Sequence, residues 1–345
     1  MTRTPLRLIA ALPVLALVLA GCGSDSDDTK ADADKDAGSG AISIVASTNV
    51  YGDIAEVIAG DHAEVTSIIT SSAQDPHEYE ASAQDRLAFD DADVVIKNGG
   101  GYDSFVDTLL EASSSDPIVL DAVEISGLAP DEHDGGDHAH EDDDEHAHED
   151  DDEHAHEDSE DEHGHEGHDH IEGFNEHVWY HFPTVEKVAE ELSHELSELD
   201  PDNAATYQAN YEAFAEQIAG LISSAEAIKA TGEGRGAAIT EPVPLYLLEA
   251  VGLVNHTTDE FSEAVEEGAD VPPRVLQETL DMFTTEEIAV LAYNSQTADS
   301  TTEAVRAAAE AAEVPVVDFT ETLPEGQSYV AWQQENLDNL AEALG

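Results

Sequence analysis

Two short stretches of this 345-residue chain carry residue types that suit divalent metals. The first is Asp75-Pro76-His77-Glu78-Tyr79-Glu80 and the second is Asn175-Glu176-His177-Val178-Trp179. Neutral imidazole is a favoured ligand of zinc and similar dications, and a carboxylate supplies the harder oxygen donor that completes a small N/O site. A third stretch, Ile239-Thr240-Glu241-Pro242, sets an acid directly after an apolar run in the second half of the chain. None of the three says much alone: a lone loop histidine is ordinarily solvated, and Glu241 is one of 79 acids. Elsewhere in the apolar-patterned parts, His62 and His194 read as exposed positions near helix ends, while His181 and His256 lack a comparable setting.

The other eleven of the seventeen histidines lie in residues 131–170, among 21 acids, 8 Gly, Ala or Ser, and no apolar residue larger than alanine. The octet His-Ala-His-Glu-Asp-Asp-Asp-Glu starts at His138 and again at His146, with a degraded copy from His154. A polar eight-residue repeat cannot stack into a packed solenoid, so a disordered insert is expected. Its paired imidazoles are His138 and His140, His146 and His148, His154 and His156, His163 and His165, and His168 and His170. Such pairs bind zinc, copper and nickel much better than manganese. Two readings stand: a low-affinity metal collector beside a tighter site, or a solubilising loop.

The elements that must position these residues follow from the apolar pattern. Strands are expected at 42–46, 65–69, 94–96 and 118–120, with helices at 51–59, 83–90 and 102–111 between them. A helix over 184–199 leads into a longer one to about residue 229, whose stripe is Tyr207, Tyr211, Phe214, Ile218 and Leu221. Asp200-Pro201 reads as its N-cap and first position. A second series follows, with strands at 237–240, 288–293 and 314–317 and helices at 245–250, 273–282, 301–312 and 328–344. Strands alternating with helices predict an α/β fold: two lobes, each with a central, mostly parallel sheet, joined by one long helix. The expected divisions are a lobe over 41–199 that carries the insert, a linking helix over 200–230 and a lobe over 231–345. In open sheets of this kind ligands gather at the C-terminal strand ends, where the His77 and Glu241 loops lie.

Charge excludes other classes. With 11 bases against 79 acids the formal charge is −68, and only 7 bases remain outside residues 1–40 and 131–170. No basic face for nucleic acid can be built from them, nor a polybasic membrane surface. Arg3 and Arg7 precede an apolar run, Leu8 to Ala20, about 13 residues long and too short to span a bilayer comfortably. It ends in Leu19-Ala20-Gly21-Cys22, which resembles a bacterial lipoprotein signal: residues 1–21 would be removed and Cys22 lipidated. Cys22 is the single cysteine, so it has no disulfide partner within the chain. Residues 22–40 then read as a solvated tether. The protein is expected to be exported and lipid-anchored to the outer face of the cell membrane, and to be a monomer.

Over nearly all of residues 42–345 the chain resembles the metal-binding solute-binding lipoproteins that deliver zinc or manganese to ABC importers, the cluster A-I family. The likeness rests on Val45 to Ile54, on Asp75 to Glu80, on Asn98-Gly99 with Tyr102, on His177-Val178-Trp179, and on the Asp200-Pro201 helix with Tyr207, Asn210 and Tyr211. It implies His77 and His177 as first-lobe ligands and Glu241 as the third. The fourth would be an acid after the strand ending at Tyr293, where this chain reads Asn294-Ser295-Gln296-Thr297-Ala298-Asp299. Asp299 is preferred on charge, with Asn294 as the rival. Partners would be the permease and ATPase of an ABC transporter.

Two histidines with one or two carboxylates suit zinc, and Glu241 in place of a third histidine moves the site toward manganese. The His-rich insert moves it back, so zinc stands ahead of manganese as the cargo. The rivals of other classes are a surface metal buffer or adhesin and a secreted zinc hydrolase. A hydrolase needs a general base beside a metal-bound water, and His-Glu-x-x-His on a helix is absent. No catalytic residue is assigned.

Overall fold

The structure, a computed structural model, describes residues 41–77, 79–130, 171, 173–285 and 287–345. The signal and tether regions with Cys22, and the insert over 131–170 with its histidines, lie outside the described residues.

The first sheet is built from β1 (Ile42–Thr48), β2 (Ala63–Ile69), β3 (Val94–Lys97) and β4 (Ile118–Asp121). All pairings are parallel, in the order β2-β1-β3-β4. The second repeats that order with β5 (Gly236–Ile239), β6 (Val254–Asn255), β7 (Ile288–Asn294) and β8 (Val316–Phe319), arranged β6-β5-β7-β8. Each sheet reverses direction of growth between its two central strands. The crevice at that switch, outside the carboxyl ends of the strands, is where an open α/β sheet offers room for a ligand.

Helices α1 (Asn49–Ala59), α2 (Ala83–Asp90), α3 (Phe105–Ala112) and α4 (Ala122–Ser126) cover the first sheet. They are followed by α5 (Phe182–Leu199) and α6 (Ala204–Gly232). Beside the second sheet run α7 (Leu245–Ala250), α8 (Asp259–Glu266), α9 (Pro273–Thr285), α10 (Ser300–Ala311) and α11 (Tyr329–Leu344). The 29 residues of α6 give a rod of about 43 Å. It packs on α1 and α5 of the first series and on α7 and α11 of the second. Its start differs from expectation. Asn203 is the N-cap, and residues 201–203 form a turn. Asp200 instead accepts from Asn203 Nδ2 at 2.6 Å and from the Tyr207 hydroxyl at 3.0 Å, so its carboxylate braces that turn. The short β6 and α8 are elements the apolar pattern did not signal.

One hydrophobic core runs through both halves, joining Ile44, Ile54 and Val185 to Phe214, Ile239 and Trp332. Polar ties cross the same boundary. The Asn49 side chain bonds reciprocally with the Leu323 backbone, at 2.8 and 2.9 Å. Tyr180 donates to the Thr320 carbonyl at 2.7 Å and Tyr329 to the Trp179 carbonyl at 2.6 Å.

Candidate metal centre

His77 sits in the loop after β2, where Pro76 and an Asx turn shape the chain: its N–H donates to Asp75 Oδ1 at 2.9 Å. The imidazole stands edge-on to the Tyr102 ring, 4.8 Å between centroids, and 6.2 Å from the His177 ring. His177 caps the 3-10 turn Val178–Tyr180 and is fully buried. Its Nδ1 lies 2.7 Å from Asn175 Oδ1. Asn175 Nδ2 donates to the Pro242 carbonyl, which fixes the amide so that its oxygen faces the imidazole. Nδ1 therefore carries the proton and Nε2 keeps the lone pair, the arrangement that orients a metal-binding histidine. That Nε2 is 3.4 Å from Glu266 Oε1.

The loop that carries His177 is held from below. Asn98, at the end of β3, donates through Nδ2 to the Glu176 carbonyl at 2.9 Å and accepts from the Tyr51 hydroxyl at 2.6 Å. Its own backbone N–H, and that of Gly99, donate to the buried Asp103 carboxylate at 2.6 and 2.9 Å. Gly99 has φ 80°, and a Cβ there would fall 2.3 Å from an Asp121 carboxylate oxygen, so glycine is required. Burial pushes the Asp103 carboxyl up to about 6.

Acids enter from the second half. Glu321 follows β8 and is 2 % exposed; its Oε2 accepts from the Tyr102 hydroxyl at 3.3 Å. Glu241 follows β5 and is equally buried, with Thr297 donating to its Oε1. Between them stands Asn294, at the end of β7. Its Nδ2 donates at 2.7 Å both to Glu241 Oε2 and to Glu321 Oε1. Its Oδ1 accepts from the Gln296 N–H at 3.0 Å. Gln296 Oε1 in turn accepts from the backbone N–H groups of Glu321 and Thr322, at 2.7 and 2.9 Å, which fixes the Glu321 turn.

Among the described residues, two sets of three side chains have candidate ligand atoms within 4.8 Å of one another: His77, His177 and Glu321, and His77, Glu176 and Glu266. His77 and His177 thus meet in the first set. Glu241 adjoins the first set through Asn294. Asp299 belongs to neither set: it is the N-cap of α10, accepting at Oδ1 from the N–H groups of Thr301 and Thr302 at 2.9 and 2.8 Å. Slight burial raises its carboxyl, but those N–H donors outweigh burial and hold it below the ordinary carboxylate range. His181 lies apart, its Nδ1 2.8 Å from Thr184 Oγ1.

Electrostatics ask for a cation here. Burial first, and neighbouring carboxylates second, push the Glu266 and Glu321 carboxyls well up. Burial likewise raises Glu241, against the opposing bonds from Thr297 and Asn294. The charges acting most strongly on Glu266 are all carboxylates: Glu176, Glu241, Glu321 and Glu263. Buried acids in such numbers must either take up protons or share a positive ion.

A family model described as zinc-uptake complex component A periplasmic, ZnuA, matches residues 44–343. The chain belongs to this family. The manganese-binding lipoprotein MntA of Halalkalibacterium halodurans is 29% identical over 205 residues, covering 59% of this chain and 53% of that protein. The chain thus spans about half the length of that relative. A manganese ABC transporter substrate-binding lipoprotein of Streptococcus gordonii, ScaA, is 24% identical over 327 residues, covering 89% of this chain and 90% of that one. Among solved structures, the periplasmic zinc-binding protein TroA of Treponema pallidum superposes with a TM-score of 0.64 at 17% identity, over 88% of this chain and 98% of its own. That likeness shows the fold of the family.

Sequence reasoning did not single out Glu321, Glu176 or Glu266 as site residues. Glu321 carries the signal that marked Glu241, an acid just past a strand end. Glu176 lies inside the His177 motif. Glu266 ends a short acidic helix, and nothing in its neighbours sets it apart from Glu263 or Glu267.

Proposed function

We propose that this chain is the extracytoplasmic binding component of an ABC importer and that it captures one divalent transition metal, zinc ahead of manganese, for delivery to the permease and ATPase. The observation that carries the reading is the meeting of His77 and His177 with Glu321, ligand atoms within 4.8 Å, beside a further buried acid, Glu241. His77 and His177 give nitrogen, Glu321 gives oxygen, and Glu241 closes the fourth position once Asn294 and Thr297 release it. Asp299 caps α10 rather than binding the ion. Two nitrogens and two carboxylate oxygens suit tetrahedral zinc. The ion itself is cargo, and no step of chemistry is done on it.

Manganese remains the second reading because the pocket is rich in carboxylates, which are harder donors. The relatives MntA and ScaA are named for that metal, and TroA for zinc. Cys22 anchors the chain by lipid, and the 131–170 histidines collect metal weakly. No helix of the described residues is long and apolar enough to cross a membrane. Metal content and calorimetric titration of the purified protein with zinc and manganese, before and after His77→Ala, test the assignment. Loss of one tight equivalent on substitution is expected; undiminished tight binding overturns it.

A further inference from the structure

A cavity of about 520 Å³ opens beside the centre, lined by His77 and Glu266 and, toward its rim, by Asp75, Glu267, Asp270 and Asp299. His177, Glu321, Glu241 and Glu176 do not line it. Of the side chains in the two sets of candidate ligands, His77 and Glu266 are therefore the ones that line the cavity. Each also belongs to the set His77, Glu176 and Glu266, and His77 alone is shared with the inner set of His177 and Glu321. Exposure falls along the same path: His77 is 8 % exposed, Glu321 2 % and His177 0 %. The two sets abut, with Glu266 Oε1 3.4 Å from His177 Nε2.

We propose that His77, Glu176 and Glu266 form an outer transit site, sharing His77 with the His77–His177–Glu321 centre, through which a divalent cation passes from the acidic cavity into that centre. The proposal rests on the metal-capture reading given above. Its physical basis is hydration. Stripping a dication of all its water in one step carries a high barrier, because no protein charge yet replaces what is lost. In the outer set two carboxylates and one imidazole replace part of the water shell while the cavity side stays wet. His77 then keeps hold of the ion as His177 and Glu321 replace Glu266 and Glu176. The rim acids concentrate cations at the mouth. A transit site lowers the barrier in both directions, so it sets rates of capture and release together.

The test is stopped-flow mixing of the metal-free full chain with zinc chloride, and separately with manganese chloride. Trp179, whose ring lies 5.0 Å from that of His177, serves as the optical reporter. For Glu266→Gln and for the Glu176→Gln/Glu266→Gln pair, capture and chelator-driven release are expected to slow by a common factor of about tenfold or more. Glu266→Asp, which keeps the charge but shortens the reach, should fall between parent and Gln variant. Faster release with unchanged capture would overturn the proposal, since Glu266 would then be a ligand of the resting site. Unchanged rates in both directions would overturn it as well. His177→Ala is the separate control: if that variant keeps tight binding, the inner centre itself is misassigned, whatever Glu266 does to the rates.

Discussion

At Asn294 one side-chain NH2 serves two acids, giving a hydrogen each to Glu241 and Glu321 at 2.7 Å. An aspartate there would remove both donors and add a further negative charge to a buried cluster. We expect Asn294→Asp to destabilise the metal-free protein by about 1–3 kcal/mol in urea unfolding at pH 8, and to be partly rescued by zinc. The same cluster sets a pH dependence. Glu241, Glu266 and Glu321 have carboxyls raised by burial in the folded state. A raised folded value means stability that is full below the ordinary carboxylate value of about 4.3 and lost as pH climbs through the raised values. The metal-free protein should therefore melt at lower temperature as pH rises from about 5 to neutrality and beyond. The loaded protein gains instead, because protons no longer compete for its ligands. Calorimetric scans should show the gap between the two forms widening with pH; a constant gap would mean the ion is held by groups that do not titrate in that window.

Elements show why a group that suits a metal can serve a different end. Asp299 has the charge that a ligand needs, yet it sits at the start of α10 and its oxygen is spent on the first-turn N–H groups. Removing such a cap costs about 1 kcal/mol, whereas asparagine caps almost as well as aspartate. Asp299→Ala should therefore lower stability in urea unfolding and Asp299→Asn should scarcely do so. A ligand would give a different pattern, with both variants losing metal affinity alike. Strand and helix placement was legible because β-rich runs alternate with helical stripes over most of the chain. What the sequence lacked was register. Asn294 pairs with Phe319 across β7 and β8, which brings Glu321, two residues further on, within hydrogen-bond reach of the Asn294 side chain that also holds Glu241. Nothing in the order of residues along one strand tells how it aligns with the next. Helix α8 was illegible for another reason: one buried aromatic, Phe261, among four acids over 259–266 gives too thin an apolar stripe to read as a helix.

Over the whole molecule, α6 and the polar ties around Asn49, Tyr180 and Tyr329 bind the two sheets into one body. Wide opening would have to break the 2.7 Å bond from Tyr180 to the Thr320 carbonyl, one residue from Glu321, and expose apolar surface beneath it. Small-angle X-ray scattering curves with and without metal are expected to superimpose; a clear change in radius of gyration would show a hinge that these contacts do not permit. Deleting residues 131–170 should remove the weak zinc equivalents seen by calorimetry and leave the tight one. Persistence of the weak equivalents would assign them elsewhere on the acidic surface.

The apolar core that the two halves share has an evolutionary corollary. Each sheet keeps one face on a cluster of its own, around Phe89 and Phe105 in the first half and around Phe261 and Phe283 in the second, but its other face joins the common core, so each half has the other as part of its lining. Swapping halves between distant cousins would bring together surfaces that never fitted. Lineages with this architecture must then change cargo preference by single replacements around the ion, keeping the two halves inherited as one.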